Sequence, residues 1–330
     1  MRPPHILCAV FYGTSRLHGV ILQMKTYLSL AVSAAALSFA ASAQAQSTSD
    51  VSQTGNQNVV EVDQTNSNNL IVEQIGDQNF VDADQTGNGN DGFINQLNGN
   101  LNRAFNRQFG LNSSSEIRQI DGADNNNAVV TQGARTDGSL AIITQSGFSG
   151  AGDNNRAVAA QEKMVLTTIF QDGNNNQADS RSEGVGTISD IVQAGVNNRA
   201  TIRQFADADG SSSMVFQGGT GGTGHVAEVN QNGSVGSFSS IGQSGGTNNL
   251  ATLFQIGDGG TSFILQDGDD NVTDVLQEGN NNTSTVNQNL LSPGGTNTAT
   301  VDQFSDGNNS TVNQNGIGNT ATVTQGSSPI

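Results

Sequence analysis

The chain has no tryptophan, two tyrosines, four prolines and one cysteine in 330 residues. Aromatics make up 5% and charged residues 12%. So few large apolar side chains exclude a thick globular core and leave disorder, or a thin core built from repeats. With Cys8 alone, no disulfide framework is available within the chain. Basic residues number 12 against 29 acidic ones. Arginines scattered through an acidic chain lack the clusters that phosphate backbones require, so no nucleic acid is expected as partner. The charge suits keeping an aggregation-prone chain soluble in transit. Long hydrophobic runs are missing too: the apolar stretch from Leu28 to Ala40 is too short and too rich in alanine and serine to span a membrane.

That stretch reads as an export signal. Met24 and Lys25 open a positive segment, the apolar run follows, and Ala43-Gln44-Ala45 is a small-x-small cleavage site. Cleavage is expected after Ala45. Residues 1–23 fit no signal and are read as an extension preceding a start at Met24, residues 24–45 as the signal, and residues 46–330 as the mature repeat region. The mature part keeps nine basic residues and all 29 acids, a net charge of −20, and has no Cys, Tyr or Trp.

What is present is one pattern, Gln-x-Gly-x-x-Asn-x-Ala-x-Val-x-Gln, seen most cleanly from Gln314 to Gln325. Anchoring glutamines recur from Gln53 to Gln325, and ten of the 22 intervals between them are 11 residues. The interval from Gln171 to Gln193 holds Ser182 in a vacant slot, which makes 24 slots in all. Asn, Ala, Val and Gln are spaced by two, the strand period, so they share one face; Asn58, Val60, Val62 and Gln64 are one such set. The glycine two places after Gln, as at Gly55, Gly76 and Gly173, is expected to supply a left-handed corner.

Eleven residues are too few for a parallel crossover, so consecutive units cannot sit side by side in one parallel sheet. The reading is an all-β solenoid of stacked strand-turn-strand coils of ~22 residues, with two facing parallel sheets of cross-β type, ~55–60 Å long at ~4.8 Å per coil. Ala, Val, Ile, Asn and Gln fill its narrow core. A buried amide left unpaired costs ~1–3 kcal/mol, and stacking in register pairs each amide with its counterpart one coil away. The assembly ladder is assigned to Asn58, Gln64, Gln74, Asn79, Gln85, Asn198, Gln204, Gln255, Gln266, Gln277, Gln288, Asn297, Gln303, Gln314, Asn319 and Gln325. No capping module is recognised near the last unit, so the end coils are expected to offer open edges to a second copy.

The unit resembles the curlin repeat of bacterial curli fibres, Gln-x-Gly-x-x-Asn-x-Ala-x-x-x-Gln, over about residues 53–325. The resemblance implies a secreted subunit, exported through the periplasm of a Gram-negative cell, that polymerises with itself into cell-surface amyloid fibres for adhesion and biofilm matrix. It also implies a nucleator subunit and an outer-membrane secretion channel as partners. The chain departs from the family in its length, its lack of mature tyrosines, its loose spacing between Gln132 and Gln255, and inserts at Gly218–Gly224 and around Pro293.

Other signals are weaker. The slot before Gln is apolar at Phe170, Val192, Phe216, Phe254, Leu265 and Leu276, a candidate lateral contact between fibres. Asp267, Asp269, Asp270 and Glu278 do not repeat as a calcium nonapeptide, and gatekeeping against premature aggregation suits them better. His225 falls in an asparagine slot beside the glycine-rich insert and reads as a ladder substitution. No catalytic residue, metal ligand, cofactor or small-molecule substrate is assigned, because no acid pair or cleft stands out. The alternative to a fibre subunit is a monomeric solenoid, an adhesin or an ice- or ligand-binding module, that uses outward threonines such as Thr298, Thr300, Thr320, Thr322 and Thr324. Disorder before assembly is compatible with the fibre reading.

Overall fold

The computed structural model describes residues 22–24, 36–41, 47–147, 154–219, 222–289 and 295–326. Ala45 and Pro293 lie outside the described residues, as does the middle of the insert at 220–221. Every regular element is a strand, and the strands form two parallel sheets of thirteen, twelve of each drawn from residue 47 onward. Successive strands alternate between the sheets, so each coil gives one strand to each and about twelve coils stack. This is the expected β-solenoid. The two remaining strands, Leu22–Met24 and Ala36–Ala41, pair in parallel with Thr48–Thr54 and Val59–Gln64.

Most strands run six or seven residues. Their burial alternates strictly, as in Phe80–Gln85, where Val81, Ala83 and Gln85 point in and Phe80, Asp82 and Asp84 point out. Two rows of aliphatic side chains face each other across the coil. The first sheet supplies Ile94, Ile117, Ile143, Ile169 and Ile191, all inaccessible to solvent. The second supplies smaller Val62, Ala83, Val130 and Ala159 opposite them, which keeps the core thin.

The corners make the repeat rigid. Gly76 has φ of +131°, and a Cβ there would sit 2.0 Å from the Gly99 carbonyl oxygen of the next coil. Only glycine satisfies both the left-handed backbone and the close approach. A second left-handed corner precedes the asparagine slot, at Gln57, Gln78, Leu101, Asn125, Asn154, Asn175 and Asn197. The repeat pattern treats that position as unspecified, yet asparagine recurs there because it tolerates left-handed φ better than most residues. The variable intervals between Gln132 and Gln255 are absorbed at the corners. Gln132 still pairs with Gln161, and Gln217 with Gln243, so the register of the faces survives.

Candidate functional site

Among the described residues the repeated amides form a polar system that runs the length of the core. Gln74 shows the unit geometry. Its Nε2 donates to Gln96 Oε1 of the next coil at 2.8 Å and across the coil to the Val59 carbonyl at 3.3 Å. Gln85 does the same toward Gln108 and the Asn69 carbonyl. One bond runs along the stack while the other ties the two sheets together, so both N–H donors are used. Along the first sheet the series continues through Gln243, Gln266, Gln288 and Gln314 at 2.8–2.9 Å. Along the second it runs through Gln204, Gln231, Gln255, Gln277, Gln303 and Gln325. In each of these bonds the earlier residue donates and the later accepts.

One gap interrupts the second row. Ser182 occupies the glutamine slot, and its hydroxyl donates to Gln204 Oε1 at 2.8 Å. Gln161, one coil earlier, turns its amide to the carbonyls of Leu140 and Val165 instead.

The asparagines stack differently from the side-chain-to-side-chain ladder that the repeat suggests. Asn58 Oδ1 accepts the backbone N–H of Asn79 at 2.9 Å, and its Nδ2 donates to the Gly76 carbonyl at 2.8 Å. Asn176 and Asn198 repeat the arrangement. Being one methylene shorter than glutamine, the carboxamide stays beside the corner, where the left-handed residues leave backbone groups without a sheet partner. Direct amide contacts join Asn249, Asn271, Asn297 and Asn319 at 3.0–3.2 Å. The row is nearly pure only in the second sheet; in the first, Ser113, Ser139, Val165 and Thr187 take the slot.

Of the predicted ladder residues, Asn58, Gln64, Gln74, Asn79, Gln85, Asn198, Gln204, Gln255, Gln266, Gln277, Gln288, Asn297, Gln303 and Gln314 are buried. Asn319 and Gln325, at the last coil, are half-buried. Ala321 and Val323 there are only partly covered, and among the described residues nothing pairs with the outer edge of Thr320–Gln325. His225 does stand in the asparagine row. Its backbone N–H donates to Asn198 Oδ1 and its Nδ1 accepts from the Asn249 N–H at 3.3 Å. Nε2 is buried without a partner, and burial, only partly opposed by Asp269, holds the imidazole below its usual pKa.

The apolar slots before Gln do point outward, but they do not form one stripe. Phe170, Val192, Phe216 and Leu265 share a column on the first sheet, whereas Phe254 and Leu276 lie on the opposite side of the rod. Units one repeat apart belong to different sheets, so only slots two repeats apart can meet. The first-sheet column is widened by Leu166, Ile188, Met214 and Phe263, each at least 37% exposed. Asp190 lies among them, its carboxyl pushed above the ordinary range by burial. Among the described strands outward threonines line up in the last coils, where Thr298 meets Thr320, Thr300 meets Thr322 and Thr285 meets Thr311. Among the described residues no cluster of His, Cys, Asp and Glu is arranged to hold a metal.

A parallel coil stack with same-sense glutamine ladders along its core defines a β-solenoid. The curlin associated repeat family model matches residues 263–289 and 296–326. At those two repeats near its C-terminal end the chain carries curlin repeats, and the same slots and pairings extend back to Gln53. No curated protein matches the chain.

Proposed function

We propose that the protein is a secreted, non-enzymatic structural subunit that polymerises end to end into curli-like extracellular amyloid fibres for adhesion and biofilm matrix. The observation that carries this reading is the one-way glutamine ladder. Gln314 and Gln325 each donate to a cross-coil carbonyl and, among the described residues, have no following glutamine for the second N–H. Gln53 and Gln64 donate to Gln74 and Gln85 with no preceding glutamine at their own Oε1, which in Gln64 takes the Ser49 hydroxyl. A second copy docked in the same sense continues both ladders, both aliphatic rows and both sheets without a change of register. Removal of residues 24–45 as a signal strips Ala36–Ala41 from the edge of Val59–Gln64 and bares the acceptor end. A nucleator subunit and an outer-membrane channel belong to the same reading, as does lateral bundling through Phe170, Phe216 and Leu265.

The test is growth of the purified chain at micromolar concentration. Thioflavin-positive fibres should appear after a lag, shorten that lag when added as fragments, and diffract at about 4.7–4.8 Å along the fibre axis. A chain that stays monomeric for days, even with fragments added, defeats the proposal.

A further inference from the structure

The outward face of the second sheet carries six of the twelve basic residues of this acidic chain, and they fall into two kinds. One column, ending each strand just before the glutamine, holds Arg107, Arg181 and Arg203. Each of these is paired: Arg107 with Asp82 at 3.7 Å, Arg181 with Glu183 at 2.6 Å, and Arg203 with Glu228 at 3.0 Å. The other column opens the strands, and the register aligns Arg103, Asn127, Arg156, Gln177 and Arg199 on successive coils. These three arginines are exposed, and among the described residues their guanidinium groups meet neither a carboxylate nor a hydrogen-bond acceptor. Two strand spacings separate them, about 10 Å, with an amide in each interval.

Beside this column runs the left-handed corner row. A groove of about 540 Å³ opens there, lined by Gln78, Asn125 and Asn154 on the corner side and by Phe80 and Arg103 on the sheet side. Phe80 is held by Phe105, ring centroids 5.7 Å apart. Asn175 and Asn197 prolong the amide row past Arg156 to Arg199. A ligand lying along this edge meets one corner amide on nearly every coil and a free guanidinium on every second coil.

We propose that this edge binds a linear acidic polysaccharide carrying one carboxylate on every second sugar. A sugar in an extended chain advances by close to one strand spacing, so successive carboxylates, two spacings apart, meet Arg103, Arg156 and Arg199 in turn. Guanidinium recognises carboxylate in a bidentate fork. The corner amides suit ring hydroxyls, and Phe80 offers an apolar face to a sugar ring. Nucleic acid suits the edge less well. Its charges follow one another more closely, and the cationic stretch is flanked by Asp63, Asp82 and Asp84 before it and by Asp274 and Asp302 beyond it. A sparsely charged chain tolerates those flanks; a dense polyanion is repelled. The site lies on the side of the rod and stays open in monomer and fibre alike, so it stands independently of the end-to-end reading.

The probe is a hyaluronan oligosaccharide of ten sugars, titrated at low salt against the full chain. Dextran and single-stranded DNA of similar length serve as comparisons. The R103Q/R156Q/R199Q variant should lose at least about tenfold in affinity, or 1.4 kcal/mol, and shed much of the salt dependence. The R107Q/R181Q/R203Q variant, which removes the same charge from the paired column, should change affinity less than about threefold. Far-ultraviolet circular dichroism checks the fold, and R156Q alone is measured if either triple variant unfolds. Equal losses in the two triples, dextran binding as tight as hyaluronan, or DNA binding tighter than hyaluronan overturns the proposal.

Discussion

Replacing Gln266 with alanine opens the ladder at a single rung. Gln266 Oε1 accepts from Gln243, and its Nε2 donates to the Leu250 carbonyl, Thr273 Oγ1 and Gln288 Oε1, all at 2.8–3.1 Å. The neighbours keep other partners: Gln243 retains the Val226 and Asn249 carbonyls, and Gln288 Oε1 retains Thr273. The cost is then a few net hydrogen bonds of about 1 kcal/mol each plus a small cavity, about 2–4 kcal/mol in total. Gln288→Ala should cost a similar amount. The 266–288 bond is lost in either single variant, so the double variant should cost about 1 kcal/mol less than the sum. The exposed Gln57–Gln78 pair, 3.0 Å apart, provides the control, with coupling near zero. Coil stacks open locally, so hydrogen exchange in Thr261–Asp267 and Thr283–Gln288 reads the effect better than a single global midpoint. A coupling of zero at 266–288, or a Gln266→Ala cost no larger than that of Gln78→Ala, refutes the ladder as a cooperative element.

Other perturbations separate the remaining forces. Gly173→Ala should cost about 3 kcal/mol or more by denaturant titration, because its Cβ would sit 2.1 Å from the Gly195 carbonyl; Gly210→Ala, left-handed but with open space around it, should cost about 1 kcal/mol. The carboxyl of Asp84 is raised by burial and then by Asp63 and Asp82, and that of Asp190 by burial. Groups raised above the unfolded value of 3.8 favour the fold most below it and lose that advantage as pH rises through their folded values, so the denaturation midpoint should be higher at pH 4 than at pH 7, and Asp84→Asn with Asp190→Asn should flatten the profile. His225 has the opposite sign: depressed below 6.5, it supports the fold above that pH and loses support on acidification, so exchange near Val226–Asn232 should quicken at low pH and become insensitive in His225→Asn. Val323→Lys puts an inward charge on the last strand, where Val323 is half-covered; fibre elongation should fall at least tenfold while interior exchange stays unchanged.

Period two within each unit and the recurrent glutamine slots were enough to assign the inward faces, the glycine corner and the two parallel sheets. Burial of Gln74, Gln85 and Gln204 follows from that spacing alone. Two features needed the parity of the units as well. Phe254 and Leu265 precede consecutive glutamine slots and so lie on opposite faces, a fact implicit in their numbering, and counting Ser182 as a slot carries that parity across the whole chain. The same count puts Arg103, Arg156 and Arg199 in one column. The backbone bonding of the asparagines was not legible, because it depends on how close a short side chain stands to a corner whose left-handed residue is Gln57 in one coil and Asn197 in another. Asparagine enrichment just before that slot was the available signal.

The common direction of the glutamine donors gives the rod an arrow. In the glutamine rows its two tips are unlike, one ending on amide N–H groups and the other on amide oxygens, so a fibre formed as proposed and snapped in the middle would yield one fresh tip of each kind. Such fragments would weld only nose to tail, every rejoined piece pointing the same way as its neighbour, and growth at the two tips should proceed at different speeds.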